Sequence, residues 1–162
     1  MPTPALIAST RFCDQAVTKV YYLPVIAAAT RIPTRAEMNA GTNLTPEIND
    51  LSGWVIEAEL FDTQPMGSAF KTEGVGSLSA PGSSLTFYTS KNGIDVRSLL
   101  PRAATGYVMF CDGGDTVANK AEVFPIVVAS VGVLRSTGGE ASKVRVVFAI
   151  TAAPAQAVPI PA

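Results

Sequence analysis

The sequence predicts an all-β fold: a β-sandwich or half-barrel of about seven strands with one or two short flanking helices. The first observation behind this prediction is that apolar and polar residues alternate in several runs, as in strands with one buried face. The second is that turn-forming pairs such as Asn-Gly, Asp-Gly and Gly-Gly separate these runs. The third is that the helical patterns are short, in a chain whose 162 residues have the length of one domain.

Six runs are predicted to form strands. Three alternate in the way expected of strands with one face on a core: residues 54–61, 85–89 and 143–150. Three others are apolar on both faces: residues 17–23, 107–111 and 123–134. Either both faces of these strands are buried within the chain, or one face is buried within the chain and the other against a partner. Pro125 indicates an edge or a bulge in the last run. We therefore interpret Phe124, Ile126 and Val128 as a candidate strand for pairing with another subunit.

Two short helices are predicted from their capping residues. Thr34 and Glu37 have the spacing of a capping box, and Gly41 stands where a glycine commonly ends a helix. Asp95 is placed to cap a second helix, which continues to Leu100 and ends before a proline.

The composition divides the chain into a central domain and two arms. Residues 1–16 are predicted to be an N-terminal extended arm, and residues 17–151 a β domain with a long loop or protruding hairpin at 63–83. Residues 152–162 are uncharged and contain three prolines, which predicts a second, Ala/Pro-rich extended arm. Both arms are apolar enough to need cover, so we expect at least one to lie on the surface of its own domain or of a neighbour.

The composition also excludes several functions. Without histidine, the chain cannot form Ser-His or Cys-His nucleophile pairs or histidine-containing zinc sites. A net charge of −1 gives no electrostatic basis for tight nucleic-acid binding. No run is long and apolar enough to span a membrane as a helix, and no signal peptide is recognisable. Charged residues make up only 15% of the chain, against about 25% in ordinary soluble domains. Copies of the chain are therefore expected to cover part of its exterior.

Three groups of residues are candidates for chemical sites. The Asp112–Asp115 segment, Asp-Gly-Gly-Asp, offers two carboxylates for calcium, but a hairpin turn is favoured because calcium needs six to eight oxygens. Glu57 and Glu59 project from one strand face, where an exposed acidic face is favoured over glycosidic acid–base chemistry. Cys13 and Cys111 fit no metal pattern, and two buried free thiols are favoured over a disulfide, which would require the fold to bring them together. We therefore expect no enzyme activity, cofactor or metal.

The charges are unevenly distributed along the chain. Bases predominate in residues 1–35 and 90–162, whereas acids predominate in residues 36–89. Such a dipolar layout suits head-to-tail self-assembly, in which unlike patches meet. Solvated faces that arise by chance are the alternative interpretation.

Four ordered stretches of the sequence resemble a known family. They are Gly41–Glu47 with Leu51–Trp54, Leu85–Tyr88 with Asp95–Arg102, Gly106–Val108 with Asp112–Asp115 and Val123–Val127, and Phe148–Thr151 with Pro154 and Ala155. Together they resemble the major tail tube protein of long-tailed, non-contractile, siphovirus-type phages of actinobacterial hosts. The resemblance extends from about residue 17 to the end of the chain.

The resemblance implies a β-sandwich with a flanking helix and a structural role in the virion. Six copies would form a ring by joining their sheets, and rings assembled in the host cytoplasm would stack into a hollow tube. DNA would pass through this tube during ejection without tight binding. Partners would be other copies, the tail tip and tail terminator proteins, and the tape measure protein in the lumen, with no membrane insertion.

The resemblance also suggests places for individual residues. A tube lumen of this family is typically acidic, so Glu57 and Glu59 are candidate lumen-facing acids. The loop at 63–83 and both arms are expected at ring-to-ring contacts, and the candidate loop residues are Met66, Phe70, Lys71 and Glu73. The alternatives are a tail terminator, a capsid decoration protein, a tube subunit of a contractile injection particle, or a bacterial adhesin or surface-layer module, which the missing signal peptide disfavours.

Overall fold

The computed structural model describes residues 5–162 and confirms the all-β fold class. In chain order the elements are β1 (Lys19–Leu23), α1 (Arg35–Ala40), β2 (Thr42–Asn43), a 3-10 turn (Thr45–Glu47), β3 (Ile48–Ser52), β4 (Glu57–Asp62), β5 (Glu73–Ser79), β6 (Ser84–Tyr88), α2 (Val96–Leu99), β7 (Thr105–Cys111), β8 (Lys120–Leu134), β9 (Lys143–Ile150) and β10 (Ala155–Pro159). The described residues thus contain more strands than the seven expected, mainly because β2, β3 and β10 carry no alternating apolar pattern.

The main sheet is antiparallel throughout, in the order β2-β1-β7-β8-β9-β6-β3. Strand β8 is long and takes part in both halves of this sheet, the half with β7 and the half with β9. Its residues 122–127 pair with β7, whereas residues 126–134 pair with β9. The two partners lie on opposite sides of β8, and the pairing with β9 has a register shift between Val128 and Ser130, just beyond the end of the pairing with β7. Strand β10 pairs with the beginning of β8, and β4 and β5 form a separate two-stranded sheet.

The principal core lies between the two halves of the sheet and is rich in aromatic rings. The indole of Trp54 lies 5.0 to 5.3 Å, between ring centroids, from Phe110, Phe124 and Phe148. These three phenylalanines come from β7, β8 and β9, so a single indole contacts three neighbouring strands. Tilted and edge-on ring pairs of this kind stabilise a core beyond the area that they bury.

A second core covers the opposite face of β1, β7 and β8, beneath α1 and the C-terminal segment. Met38 of α1 and Met109 of β7 belong to it, together with Val158 and Ile160, which are only 3% and 2% exposed. The C-terminal residues therefore cover their own domain. Residues 155–159 are extended and form a strand that hydrogen-bonds to β8, so this segment of the predicted arm at 152–162 lies on its own domain.

The helix signals in the sequence are confirmed. Thr34 caps α1 in a capping box with Glu37, and Asp95 caps α2 by accepting from the backbone of Arg97. Gly41 ends α1 for a different reason from the expected one. Its backbone is extended, and glycine is needed because a Cβ there would lie 2.4 Å from the side chain of Leu23.

The expectation of a strand at 54–61 with one face on the core is wrong. Gly53 and Trp54 have positive φ angles of 77° and 64°, so the chain turns sharply out of the main sheet at this point. Trp54 enters the core, but β4 begins only at Glu57 and is exposed on both faces. The edge of the main sheet is formed instead by β3. The sequence does not predict this strand, because it contains Asn and Asp, which are uncommon in strands.

Candidate self-assembly surfaces

Strands β4 and β5 form a hairpin that extends the β3–β6 strand pair beyond the main sheet. Cross-strand partners in an antiparallel pair lie on the same face. Ala58 opposes Leu78, and Leu60 opposes Val75, so these four residues share one face. Leu60, Val75 and Leu78 are 58%, 71% and 68% exposed, which leaves an unpartnered apolar strip on the hairpin. We call these four residues the apolar strip.

Two of the three acidic residues of β4 lie on the other face of the hairpin. Glu57 and Glu59 alternate with Ala58 and Leu60 along the strand, and side chains of a strand alternate between faces. The hydroxyl of Ser77 donates to Oε2 of Glu59 at 3.2 Å. Both glutamates are exposed, and we call the face that carries them the acidic face. Phe61, 53% exposed, shares this face, whereas Asp62 lies on the face of the apolar strip.

The four candidate loop residues lie at the far end of the same hairpin. Met66 and Phe70 are exposed in the turn between β4 and β5, beyond reach of either core. Lys71 forms an ion pair with Glu73 at 2.9 Å between Nζ and Oε1, at the start of β5. The hairpin begins at Glu57, earlier than the boundary at residue 63 expected from composition.

The three residues expected to form the subunit-pairing strand occupy a different position. Phe124, Ile126 and Val128 are at most 1% exposed and belong to the principal core. Their strand has β7 on one side and β9 or β10 on the other, so its backbone is already paired within the chain. The interpretation of these residues as a pairing strand is therefore wrong.

Several described strands have a free edge, among them β2, β10 and both hairpin strands, and two further free edges belong to β3 and to the last part of β8. Strand β3 pairs with β6 on one side and with no described strand on the other. The last part of β8, residues 129–134, pairs with β9 on one side only, because the pairing with β7 ends at Val127 and backbone bonds to residues 103 and 104 end at Val128. These two edges bound a four-stranded portion of the sheet, in the order β3-β6-β9-β8. Sequence reasoning missed both edges because edge positions depend on long-range pairing.

The face of this four-stranded portion that lies away from the core is polar. One row of cross-strand partners on it runs from Asp50 through Thr86 and Arg145 to Gly132. The guanidinium of Arg145 donates to the hydroxyl of Ser84 at 3.3 Å. The neighbouring cation, Lys143, lies 3.7 Å from Glu140 between Nζ and Oε2.

The Asp112–Asp115 segment forms the turn that links β7 to β8, as the favoured interpretation predicted. Nη1 of Arg35 lies 2.7 Å from Oδ1 of Asp115, and the hydroxyl of Tyr21 donates to Oδ2 at 3.1 Å. The hydrogen bond from Arg35 holds the pKa of Asp115 below its ordinary value. Asp115 thus anchors α1 to the sheet, and no cluster of metal-ligating residues occurs within residues 5–162.

The two cysteines differ in their surroundings. Cys111 is a buried free thiol, as expected, but Cys13 is exposed, which corrects the expectation for that residue.

Residues 5–13, in the expected N-terminal arm, contain no helix or strand, and Leu6 and Ile7 are almost fully exposed. The first four residues of the expected N-terminal arm lie outside the described part of the chain.

Comparison with known proteins points to one family. In the described residues, no helix has the length and apolar character needed to cross a membrane. No curated protein matches the sequence. A structural match with a TM-score of 0.53 and 11% identity covers 94% of this chain and 95% of a chain in the six-fold symmetrised baseplate of the anti-feeding prophage, and shows similarity of fold. The model of the phage tail tube protein family matches residues 7–162. The chain therefore belongs to the phage tail tube protein family, whose members are structural components of the virion tail.

Proposed function

We propose that this protein is the major tube subunit of a long-tailed, non-contractile phage with an actinobacterial host. Six copies form a ring, rings stack into a hollow tube, and DNA passes through the tube during ejection. The observation that carries the proposal is the pair of free edges that bound the four-stranded portion of the sheet. The proposal assigns no catalytic activity to the chain.

The directions of the strands support closure into a ring. Strands β3, β6, β9 and β8 alternate in direction, because each pair is antiparallel. The two outer strands of such a set run in opposite directions, so β3 of one copy can continue the antiparallel order beside β8 of the next. Contacts of this head-to-tail kind close into rings when the rotation between copies is a fraction of a full turn.

The distribution of mass in the subunit favours a polar inner wall. The core face of the four-stranded portion carries the rest of the subunit, including β1, β7 and α1. When copies join edge to edge into a ring, the bulkier face of each subunit lies farther from the ring axis. The face with Asp50, Thr86 and Arg145 then lines the channel, and the helix lies on the outside.

The hairpin and the N-terminal arm supply surfaces for stacking. The apolar strip and the exposed Met66 and Phe70 have no partner among the described residues, and burying them against another copy is favourable by about 25 cal/mol per Å². With the apolar strip covered, Glu57 and Glu59 on the opposite face stay in solvent and face the lumen, where they repel DNA phosphates. The remaining partners in this proposal are the tail tip, tail terminator and tape measure proteins, and assembly takes place in the host cytoplasm.

Electron microscopy and sedimentation of the purified full-length chain test this proposal. We expect tubes of uniform width, and rings at lower concentration. A triple variant of the apolar strip, Leu60→Ser/Val75→Ser/Leu78→Ser, should fold normally but fail to form tubes, because these side chains are exposed in the subunit. The matched control is Val25→Ser/Ile94→Ser/Val117→Ser, which removes exposed apolar side chains elsewhere and should assemble.

Two outcomes would contradict the proposal. Discrete closed particles without tubes would favour the tail terminator or capsid decoration protein. A folded single subunit that stays dissolved at high concentration, also when mixed with the other tail components, would remove the self-assembly role altogether.

A further inference from the structure

We propose that Arg145 of one copy forms an ion pair with Asp50 of the neighbouring copy, across the joint between the free edges of β8 and β3. The pair fixes the register of that joint. This inference rests on the proposed ring and identifies the side chains that align its subunits.

Arg145 and Asp50 lie in one row on the polar face, at opposite sides of the four-stranded portion. Asp50 is on the outermost strand at one side, and Gly132 is on the outermost strand at the other. Arg145 is the cross-strand partner of Gly132, one strand in from the edge. A copy added at the edge of β8 therefore places its β3 two strands away from Arg145.

The path from Arg145 to the neighbour's aspartate is less obstructed than the path to the aspartate of the same chain. Both lie two interstrand spacings from Arg145, or roughly 10 Å between Cα atoms. In the same chain, the side chain of Thr86 stands between Arg145 and Asp50. Toward the neighbour, the intervening residue is Gly132, and a Cβ built there has no atom within 4 Å. In the single subunit the guanidinium points toward Ser84 of β6, so the arginine exchanges that hydrogen bond for the neighbour's carboxylate when it crosses this open position.

Both charged groups lack an ionic partner within the described residues. The ion pairs of residues 5–162 involve Arg35, Lys71, Arg97 and Lys143, and none involves Arg145 or Asp50. The hydrogen bond from Arg145 to Ser84 is long at 3.3 Å, and the side chain of Asp50 accepts no hydrogen bond from residues 5–162. Two unlike charges at the two free edges of one sheet face are complementary when copies meet.

The ion pair has two consequences for a tube. A strand that slips by one residue turns all of its side chains to the other face, so a pair that requires Asp50 on the polar face selects the register. The pair also neutralises an arginine that would otherwise attract DNA phosphates in the channel. Lys143 is already balanced by Glu140 in the same chain.

Charge reversal in the full-length chain tests the pair. We expect Arg145→Glu and Asp50→Arg each to raise the protein concentration needed for tube formation by roughly fivefold, the effect of an ion pair of modest strength. The double variant should return toward the wild-type value. Arg102→Glu changes the same charge outside the polar-face row and serves as the control, and urea unfolding of each variant checks that the subunit stays folded.

A disulfide locates the contact directly. In a Cys13→Ser background, Asp50→Cys/Gly132→Cys should give a ladder of covalent oligomers when tubes are oxidised. Positions 50 and 132 of one chain are three interstrand spacings apart, roughly 14 Å, which is too far for a disulfide within the chain. The controls Asp50→Cys/Ser130→Cys and Asp50→Cys/Leu134→Cys report a joint displaced by two residues along β8.

The outcomes separate this inference from the proposed function. If the wild type forms tubes and both single reversals assemble as well as it does, the ion pair is overturned and the tube role stands. A ladder from a control pair and none from positions 50 and 132 overturns the register. If the wild type forms no tubes, the proposed function and this inference fail together.

Discussion

The indole Nε1 of Trp54 donates a hydrogen bond to the backbone oxygen of Ser84, over a distance of 3.1 Å. This bond ties the chain at the start of the β4–β5 hairpin to the strand that returns from it. The backbone N–H of Trp54 also donates to the hydroxyl of Ser83 at 3.2 Å. A left-handed backbone costs a residue with a side chain roughly 1–2 kcal/mol, and these bonds and the surrounding aromatic rings offset that cost.

Trp54 is therefore expected to be a main determinant of subunit stability. We predict that Trp54→Ala lowers the free energy of unfolding by about 3–5 kcal/mol, because it opens a cavity beside three phenylalanine rings. Urea unfolding followed by circular dichroism measures the change. Met66→Ala, at an exposed position, should stay within about 0.5 kcal/mol of the wild type. Equal effects of the two substitutions would contradict the assigned role of Trp54.

The cap of α2 predicts a dependence of stability on pH. The hydrogen bond from the Arg97 side chain, helped by backbone N–H donors, lowers the pKa of Asp95 from 3.8 to about 2. A carboxylate with a lowered pKa in the folded state adds stability above its unfolded pKa, and this stability is lost as the pH falls through the folded value. The contribution of Asp95 should thus be complete above about pH 4 and lost by about pH 2.

The neutral variant Asp95→Asn isolates this contribution, since asparagine is also a good N-cap. The difference in unfolding free energy between the wild type and Asp95→Asn should be largest above pH 4 and should shrink toward pH 2. Other carboxylates, such as Asp115, are present in both proteins and cancel in the difference. A difference that stays constant between pH 6 and pH 2 would show that the charge of Asp95 contributes nothing.

Cys111 reports on the cover that the C-terminal segment provides. Burial raises the pKa of its thiol to about 12, so the side chain is a protected thiol at neutral pH. In a Cys13→Ser background, we predict that Val158→Ala/Ile160→Ala increases the rate of thiol labelling at least tenfold, because both removed side chains belong to the core around Cys111. Ile94→Ala, at an exposed site, is the control. Labelling at the wild-type rate would mean that β10 does not protect this core.

The sequence predicted local features well and long-range features poorly. The capping box, the second helix cap and the turns depend on residues two to four positions apart, so the sequence predicts Thr34 with Glu37 and the cap at Asp95. Whether a strand lies at an edge depends on partners far along the chain. Phe124, Ile126 and Val128 were therefore assigned to a subunit contact, although both sides of their strand are occupied. The unusual backbone of Trp54 likewise has no sequence signal beyond the preceding glycine.

The turn between β4 and β5, with Met66 and Phe70 at the tip of the hairpin, is predicted to connect rings without contributing to the stability of the subunit. Met66→Ser/Phe70→Ser removes two exposed apolar side chains, so the unfolding free energy should change by no more than about 1 kcal/mol. Electron microscopy should then show single rings or short stacks in place of long tubes. Val25→Ser/Val117→Ser, at exposed sites on the body of the subunit, should leave tube length unchanged. Long tubes from the tip variant would exclude the tip from the ring-to-ring contact.

The acidic face of the hairpin is predicted to keep DNA from binding in the channel. Both glutamates are exposed, and neither forms an ion pair within the described residues, so Glu57→Lys/Glu59→Lys should leave folding and tube formation intact. The variant tubes should retain single- or double-stranded DNA in a co-sedimentation assay, and retention should fall steeply as salt is raised, because each lysine–phosphate contact releases a counterion. Wild-type tubes should retain little DNA.

The charge-matched control Glu47→Lys/Glu122→Lys alters acids away from the hairpin. Equal retention by this control would mean that net charge alone governs binding, and no retention by the Glu57/Glu59 variant would place these residues outside the channel.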